Sequence, residues 1–383
     1  MSNCPFIYGH TVTEDRFVNR LAERKKLKNN LKSGISTTLI SPRRWGKSSL
    51  VELVANELAQ EKKSKVIVLD LFSYQSIEEF LEAYARAVVQ ASSSKMDDWL
   101  AITKRFFQSL IPKVSVKPSE ELELQLSFDM SALLQSSEEV LDLPEKIAKE
   151  QKIRFVICLD EFQNLAEMKG FSSFEKRLRA SWQRHQNVSY CLYGSKRHMM
   201  SEIFNDPSKP FYRFGDIMLL ERISKKHWKD FIYNSFFSTG KRISEDLAGE
   251  IPVLMNNHSW YVQQLSHYAW MRTRNICTEE ILLASYEELI NANAPLFRRE
   301  IEFMSRTLFN TLRAIASGEK RLTSASVMDK YQLGTPNNVR KNKLKLIELD
   351  IIDQTEKGLE FLDPAFERWF RKEIFGESLK LGF

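Results

Sequence analysis

Cysteine is scarce in this chain: four among 383 residues, at Cys4, Cys158, Cys191 and Cys277. No two stand at CxxC spacing, and Cys158 and Cys191 lie inside apolar runs. A disulfide scaffold and a zinc site are therefore set aside, and small buried thiols in a reducing compartment are expected. The six histidines are dispersed, none at metal-ligand spacing. No apolar run approaches the roughly 18 residues that a membrane-crossing helix needs. Met1-Ser-Asn-Cys-Pro-Phe6 lacks a charged-then-apolar leader pattern, so a cytoplasmic location is the expectation. An excess of one charge sign is also missing. Lys+Arg number 56 against Asp+Glu 50, a net +6 that is too weak to argue for nucleic acid by itself. Internal repeats and low-complexity segments are absent. With 43% hydrophobic and 28% charged residues, wholesale disorder is excluded. The length suits two or three domains of about 100–200 residues each.

The apolar pattern sets the architecture. Residues 5–34 read as an extended lead-in and a helix, with Phe17, Leu21 and Leu27 on one side and Gly34 as its stop. Thr37-Thr-Leu-Ile40 is a short strand, and Leu50, Val51, Val54 and Leu58 mark the helix that follows the next loop. Val66-Ile-Val-Leu69 is a continuous apolar run, the mark of a strand buried on both faces. A helix with Ile77, Leu81, Tyr84 and Val88 follows. Strand–helix alternation predicts a parallel sheet. Val114-Ser-Val116 and the alternating Leu122, Leu124, Leu126 and Phe128 predict a small inserted hairpin with one wet face, outside the main sheet. The alternation resumes at Phe155–Leu159 and Val188–Tyr193, joined by a helix around 173–186. From about residue 222 the chain becomes helical, over 224–238, 242–256, 258–273, 278–291 and 295–316. The final stretch reads helix, helix, helix, hairpin, helix. Thr335-Pro336 starts the third of these helices, and the strands turn around Lys357-Gly358. That order is the outline of a winged helix.

The chemistry concentrates in Ser41-Pro-Arg-Arg-Trp-Gly-Lys-Ser-Ser49, between a strand and a helix. Binding a nucleoside triphosphate requires backbone N–H donors, a mobile cation and a hydroxyl for Mg²⁺. Gly46 lets the backbone approach phosphates, Lys47 reaches the β- and γ-phosphates, and Ser48 binds Mg²⁺. Ser49 lies at the positive end of the new helix. Arg44 and Trp45 complete the nucleotide-contacting set. The loop has Ser41 where the strict GxxxxGK[ST] pattern has glycine. The buried strand ending in Asp160-Glu161 supplies two carboxylates at a strand tip, where open α/β sheets bind ligands. Asp160 is assigned to the Mg²⁺ shell and Glu161 to polarising the attacking water. Ser195, after the next strand, either senses the γ-phosphate or caps the following helix. Arg213 is either a bridge to the phosphates or a surface arginine.

These strings, with Phe17-Val-Asn-Arg20 upstream and Gly194-Ser195 downstream, resemble the archaeal-type ATPases on the AAA+/STAND side of the P-loop NTPases. The resemblance implies an α/β P-loop NTPase domain with a parallel sheet, a helical lid and a C-terminal winged-helix domain. The expected boundaries are 1–220 with a hairpin at about 112–130, 221–300, and 301–383. It also implies adenine held near Phe17–Arg20, and a lid turn here written Asn257-His258-Ser-Trp260, without the family's proline. Relatives of this kind commonly supply an arginine finger in trans, for which Arg177, Arg179 and Arg184 are candidates with no distinguishing feature. The implied activity is Mg²⁺-dependent hydrolysis of ATP to ADP and phosphate, used as a conformational switch. Two rivals stand beside it: a weakly hydrolysing nucleotide-bound scaffold, and a DNA-binding regulator or mobile-element protein with an auxiliary ATPase. Arg340, Lys341, Lys343 and Lys345 lie on the third winged-helix helix, followed at once by Glu348 and Asp350. A protein partner or self-association is therefore expected ahead of sequence-specific DNA readout, for which Asn337 and Asn338 are the available side chains.

Overall fold

The computed structural model describes residues 4–10, 17–93, 95–107, 110, 113–117, 123–355 and 358–382. Leu122 and Lys357, placed above in a strand and a turn, lie outside the described residues. The chain forms two compact units: Arg20–Arg43 with Lys47–Glu221, and Met1–Asn19 with Arg44–Gly46 and Arg222–Phe383.

The first unit is a five-stranded sheet wrapped by helices. Its strands are β1 (Thr37–Ile40), β2 (Ser64–Asp70), β5 (Arg154–Asp160), β6 (Val188–Gly194) and β7 (Asp216–Leu219), in the order β2-β5-β6-β1-β7. Every pairing among them is parallel. The central strands β1 and β6 are buried along their whole length. Parallel strands covered by helices on both faces need continuous apolar runs, and these segments supply them. The unbroken run Val66–Leu69 behaves differently. It lies in β2 at the edge of the sheet, where Val68 is 46% exposed. Continuity of the run reports apolar content, whereas burial depends on having a neighbour on each side. Strand β7 was not foreseen. Its Ile217-Met-Leu run is short and only partly buried at the other edge.

The predicted hairpin is present as an antiparallel pair outside the main sheet, β3 (Lys113–Lys117) and β4 (Glu123–Ser127). Leu126 and Phe128 are buried against this unit's core while Ser127 is exposed, as period-two alternation requires. Cys158 and Cys191 are neighbours in the register of β5 and β6, both buried and both free.

The second unit is helical: Lys225–Ser238, Glu245–Leu254, Ser259–Arg272 and Glu279–Glu302, then the winged-helix series Arg306–Ala316, Ala325–Tyr331 and Pro336–Glu348. The series closes with the hairpin β8 (Ile352–Thr355) and β9 (Gly358–Phe361) and the helix Pro364–Phe375. Three expectations are corrected here. The segments 278–291 and 295–316 are not two helices divided near residue 293. One helix runs through Pro295 to Glu302, and the break falls at 303–305. A proline removes one backbone N–H, and here Phe297 beyond it is anchored against Phe366 and Trp369 at ring distances of 5.4 and 5.7 Å. Those contacts also join the expected lid and winged helix into one hydrophobic core, so 221–300 and 301–383 are not separate bodies. Finally, the lead-in does not belong to the α/β unit. Phe6 is buried against Phe231 and Phe236, and Tyr8 meets Trp260 edge-on at 5.8 Å. Its rings find their partners on helices more than 200 residues away in the chain.

Thr335 caps the third winged-helix helix, its hydroxyl accepting from the Asn338 N–H at 3.3 Å with Pro336 at the first position. Thr335→Ala should cost about 1 kcal/mol of stability, measured by chemical denaturation, because the replacement offers no acceptor for that N–H.

Candidate functional site

Strand order brings the chemistry together. β6 lies between β1 and β5, and all three run in the same direction. Ile40 at the end of β1 pairs with Gly194 at the end of β6, and β5 ends at Asp160. The loops carrying Lys47, Glu161 and Ser195 therefore leave the same edge of the sheet, the carboxyl edge. Lys47 opens the helix Lys47–Ala59. Just before it, Arg44 and Gly46 adopt left-handed backbone angles, φ 64° and 86°. Nothing crowds Gly46, so the backbone angle alone favours glycine there. Gly194 is glycine for the opposite reason. A Cβ there would stand 2.0 Å from Gln163 Oε1 and 2.8 Å from the Met200 sulfur.

Lys47 is 6% exposed. Its ammonium lies 3.8 Å from both Asp160 Oδ1 and Glu161 Oε1, and 5.9 Å above the Tyr193 ring. Ser48 Oγ donates to Asp160 Oδ2 at 3.0 Å. Glu161 has a left-handed φ of 50°, a strained angle that turns its side chain onto a set of donors. Its Oε2 accepts from Gln163 Nε2 at 2.5 Å, from Ser195 Oγ at 2.8 Å and from the Ser195 N–H at 3.2 Å. The two carboxyls separate electrostatically. Burial pushes Asp160 above the ordinary aspartate range, with Lys47 opposing and Glu161 adding to the rise. Burial also works against ionisation of Glu161, but Lys47, Gln163 and Ser195 outweigh it and hold Glu161 below the usual glutamate range.

The Ser195 hydroxyl is spent on Glu161, and the helix Arg197–Asn205 has no side-chain cap. Ser49 is buried in the first turn of the Lys47 helix. Arg20 is buried at the start of the helix Leu21–Lys32, donates to Glu23 at 3.0 Å and has its basicity lowered by burial. Arg213 is exposed, its guanidinium 5.1 Å over its neighbour Tyr212, and no described hydrogen bond or ion pair joins it to the Lys47 cluster. Arg177 and Arg179 donate to the carbonyls of Leu134 and Pro210, and Arg184 pairs with Asp142.

Arg44 and Trp45 belong to the helical unit. Arg44 stacks 4.6 Å over Trp260, Arg222 lies 5.3 Å over Trp45, and Trp45 meets His258 edge-on. Burial, with Arg44 and Arg222 adding, pushes His258 down to about 3, so its ring is neutral. His258 packs on Tyr261, whose hydroxyl donates at 2.5 Å to Asp363, the N-cap of the last winged-helix helix. Two site residues escaped the motif. Gln163 orients Glu161 from two positions further on, and Arg43 donates to Ser195 Oγ at 3.3 Å from inside the loop itself. The only sequence signal for either was proximity to a motif residue.

The donor set fits a magnesium nucleotide. Ser48 and Asp160 present two hard oxygens 3.0 Å apart beside a buried cation. Mg²⁺ takes few protein ligands and completes its shell with water and phosphate. Among the described residues no group of three or more His, Cys, Asp or Glu is placed to hold a metal ion by itself. Also among the described residues, no helix is long and apolar enough to cross a membrane.

Comparison with known proteins bears on the fold. The family described as "Probable winged helix domain" matches residues 295–372. No curated protein matches the chain. Among solved structures, the chain is similar to the Walker-type ATPase paby2304 of Pyrococcus abyssi, with a TM-score of 0.67 and 17% identity, covering 96% of this chain and 99% of that one. It is also similar to the Aeropyrum pernix ORC2 protein, solved as ADPNP-ADP complexes, with a TM-score of 0.56 and 14% identity over 96% of both chains. With its parallel sheet, its strand–loop–helix around Lys47 and its terminal winged helix, the chain has the fold of a Walker-type P-loop ATPase carrying a C-terminal winged-helix domain.

Proposed function

We propose that this protein binds Mg·ATP, hydrolyses it to ADP and phosphate, and uses the cycle as a conformational switch. The observation that carries the reading is the buried Lys47 ammonium set against two strand-tip carboxylates, with Ser48 bonded to one of them. The ATPase named among the similar folds and the ADPNP-ADP complexes of the ORC2 protein support it. In this reading Lys47 exchanges its carboxylate partners for the β- and γ-phosphates. Ser48 and Asp160 hold the cation, whose chemistry is to neutralise phosphate charge. Glu161 accepts the proton of the attacking water through Oε1, the oxygen that Ser195 and Gln163 leave open. Those two residues fix the carboxylate and lower its basicity. Arg44 and Trp45 supply the coupling: residues of the phosphate loop pack through His258 and Tyr261 toward the cap of the final helix.

Calorimetry tests the cradle. Lys47→Ala should lose ATP binding while its circular dichroism spectrum stays native, since the change removes a charge and not core packing. Asp160→Asn should weaken Mg²⁺-dependent binding yet raise the melting temperature of the nucleotide-free protein at neutral pH. A carboxyl whose folded pKa is raised stabilises the fold only while protonated, so its ionisation costs stability as pH climbs through the folded value. The gain should vanish in acid below the unfolded aspartate pKa. Glu161→Gln should retain nucleotide and slow single-turnover hydrolysis by about 10²–10⁴-fold. A wild-type rate in that variant would remove Glu161 from the chemistry.

A further inference from the structure

The winged-helix region carries a concavity that the nucleotide reading does not use. It has a volume of about 960 Å³ and is bounded by the turn around 318–324, the first half of the helix Pro336–Glu348, and β9. Its floor is apolar, formed in part by Leu322, Val339 and Leu359. Four cations line it: Lys320, Arg321, Arg340 and Lys343. The single carboxylate in the lining, Glu319, is paired with Lys330 at 2.9 Å, so its charge is already neutralised. None of the four cations has an ion pair among the described residues.

We propose that this groove docks an acidic peptide segment of a partner protein, with an apolar side chain on the floor and carboxylates against the four cations. Charge complementarity selects an anionic occupant. The shape and the neighbouring face select a peptide over a duplex. A phosphate track calls for protruding cations with polar side chains at the base edges, whereas this concavity has an apolar floor of the kind that anchors a side chain. Further along the same helix the face is poorly suited to phosphate. Leu344 is 50% exposed, and Lys345 is paired with Glu348 at 3.1 Å. The groove lies wholly within the helical unit, so the proposal stands independently of ATP hydrolysis.

Fluorescence anisotropy on the full-length protein tests it. The probe is a short fluorescein-labelled peptide of repeating Glu-Leu-Glu triplets, compared with its Gln-Leu-Gln counterpart and with a labelled random-sequence duplex. The acidic peptide should bind, the glutamine peptide should not, and added salt should weaken the complex. The double variant Arg340→Glu, Lys343→Glu should bind at least about tenfold more weakly. Lys341→Glu, on the same helix but outside the groove, should leave peptide binding unchanged. Melting curves establish that the variants fold, and Arg340→Gln with Lys343→Gln replaces the reversal pair should it not fold. Absence of peptide binding at about 1 mM would overturn the proposal. So would insensitivity to the double variant, or duplex binding tighter than peptide binding and lost with Lys341→Glu.

Discussion

A buried ammonium group cannot stand without anions, and the first unit is organised around that constraint. Stripping a cation of water costs several kcal/mol unless opposite charges replace the lost solvation. Lys47 is placed by a helix that starts one turn beyond β1, and its counter-charges come from β5, a strand that is not adjacent to β1. β6 fills the gap, and its tip contributes Ser195, which holds the second carboxylate in place. Burial raises the pKa of Asp160, with Lys47 opposing the rise and Glu161 adding to it.

Much of this was legible in the residues because it is local. Lys47 and Ser48 are adjacent, the preceding strand and following helix are readable by period, and Asp160-Glu161 ends an unmistakable apolar run. The winged-helix order was readable for the same reason. What escaped depends on lateral order. No pattern within Val66–Leu69 says that the strand will lie at an edge, and none in Gly194-Ser195 says that β6 will separate β1 from β5. The bond from the Ser195 hydroxyl to Glu161 was for the same reason not readable in the sequence. The boundary expected between 291 and 295 was misplaced because Phe297, Phe366 and Trp369, which anchor the helix beyond it, meet only in the folded core. Arg213 shows the converse: its place between two segments suggested a bridge, and its guanidinium lies over the adjacent tyrosine.

Arg44 and Trp45 tie the loop before Lys47 to the helical unit. A loop that only cradled phosphate would need small residues for close approach. Here two large side chains are committed to Trp260, Arg222 and His258. Neutral His258 and the Tyr261–Asp363 hydrogen bond extend this packing to a helix cap. Packed aromatic contacts of this kind have discrete arrangements rather than a continuum.

The pairing of Phe6 and Tyr8 with Phe231, Phe236 and Trp260 has a consequence for how the chain is made. The α/β unit is, in chain terms, an insertion between a short leading segment and the helices on which that segment packs. During synthesis Phe6 and Tyr8 emerge before their partners, of which Phe231 and Phe236 come first and Trp260 last. At about 5–20 residues per second that is a wait of about 10–50 s. The sheet has all its strands well before then and can close as an independent folding unit, while the helical unit depends on the most distant contacts and completes last. Until it does, the rings of Phe6 and Tyr8 lack the partners that they have in the folded helical unit.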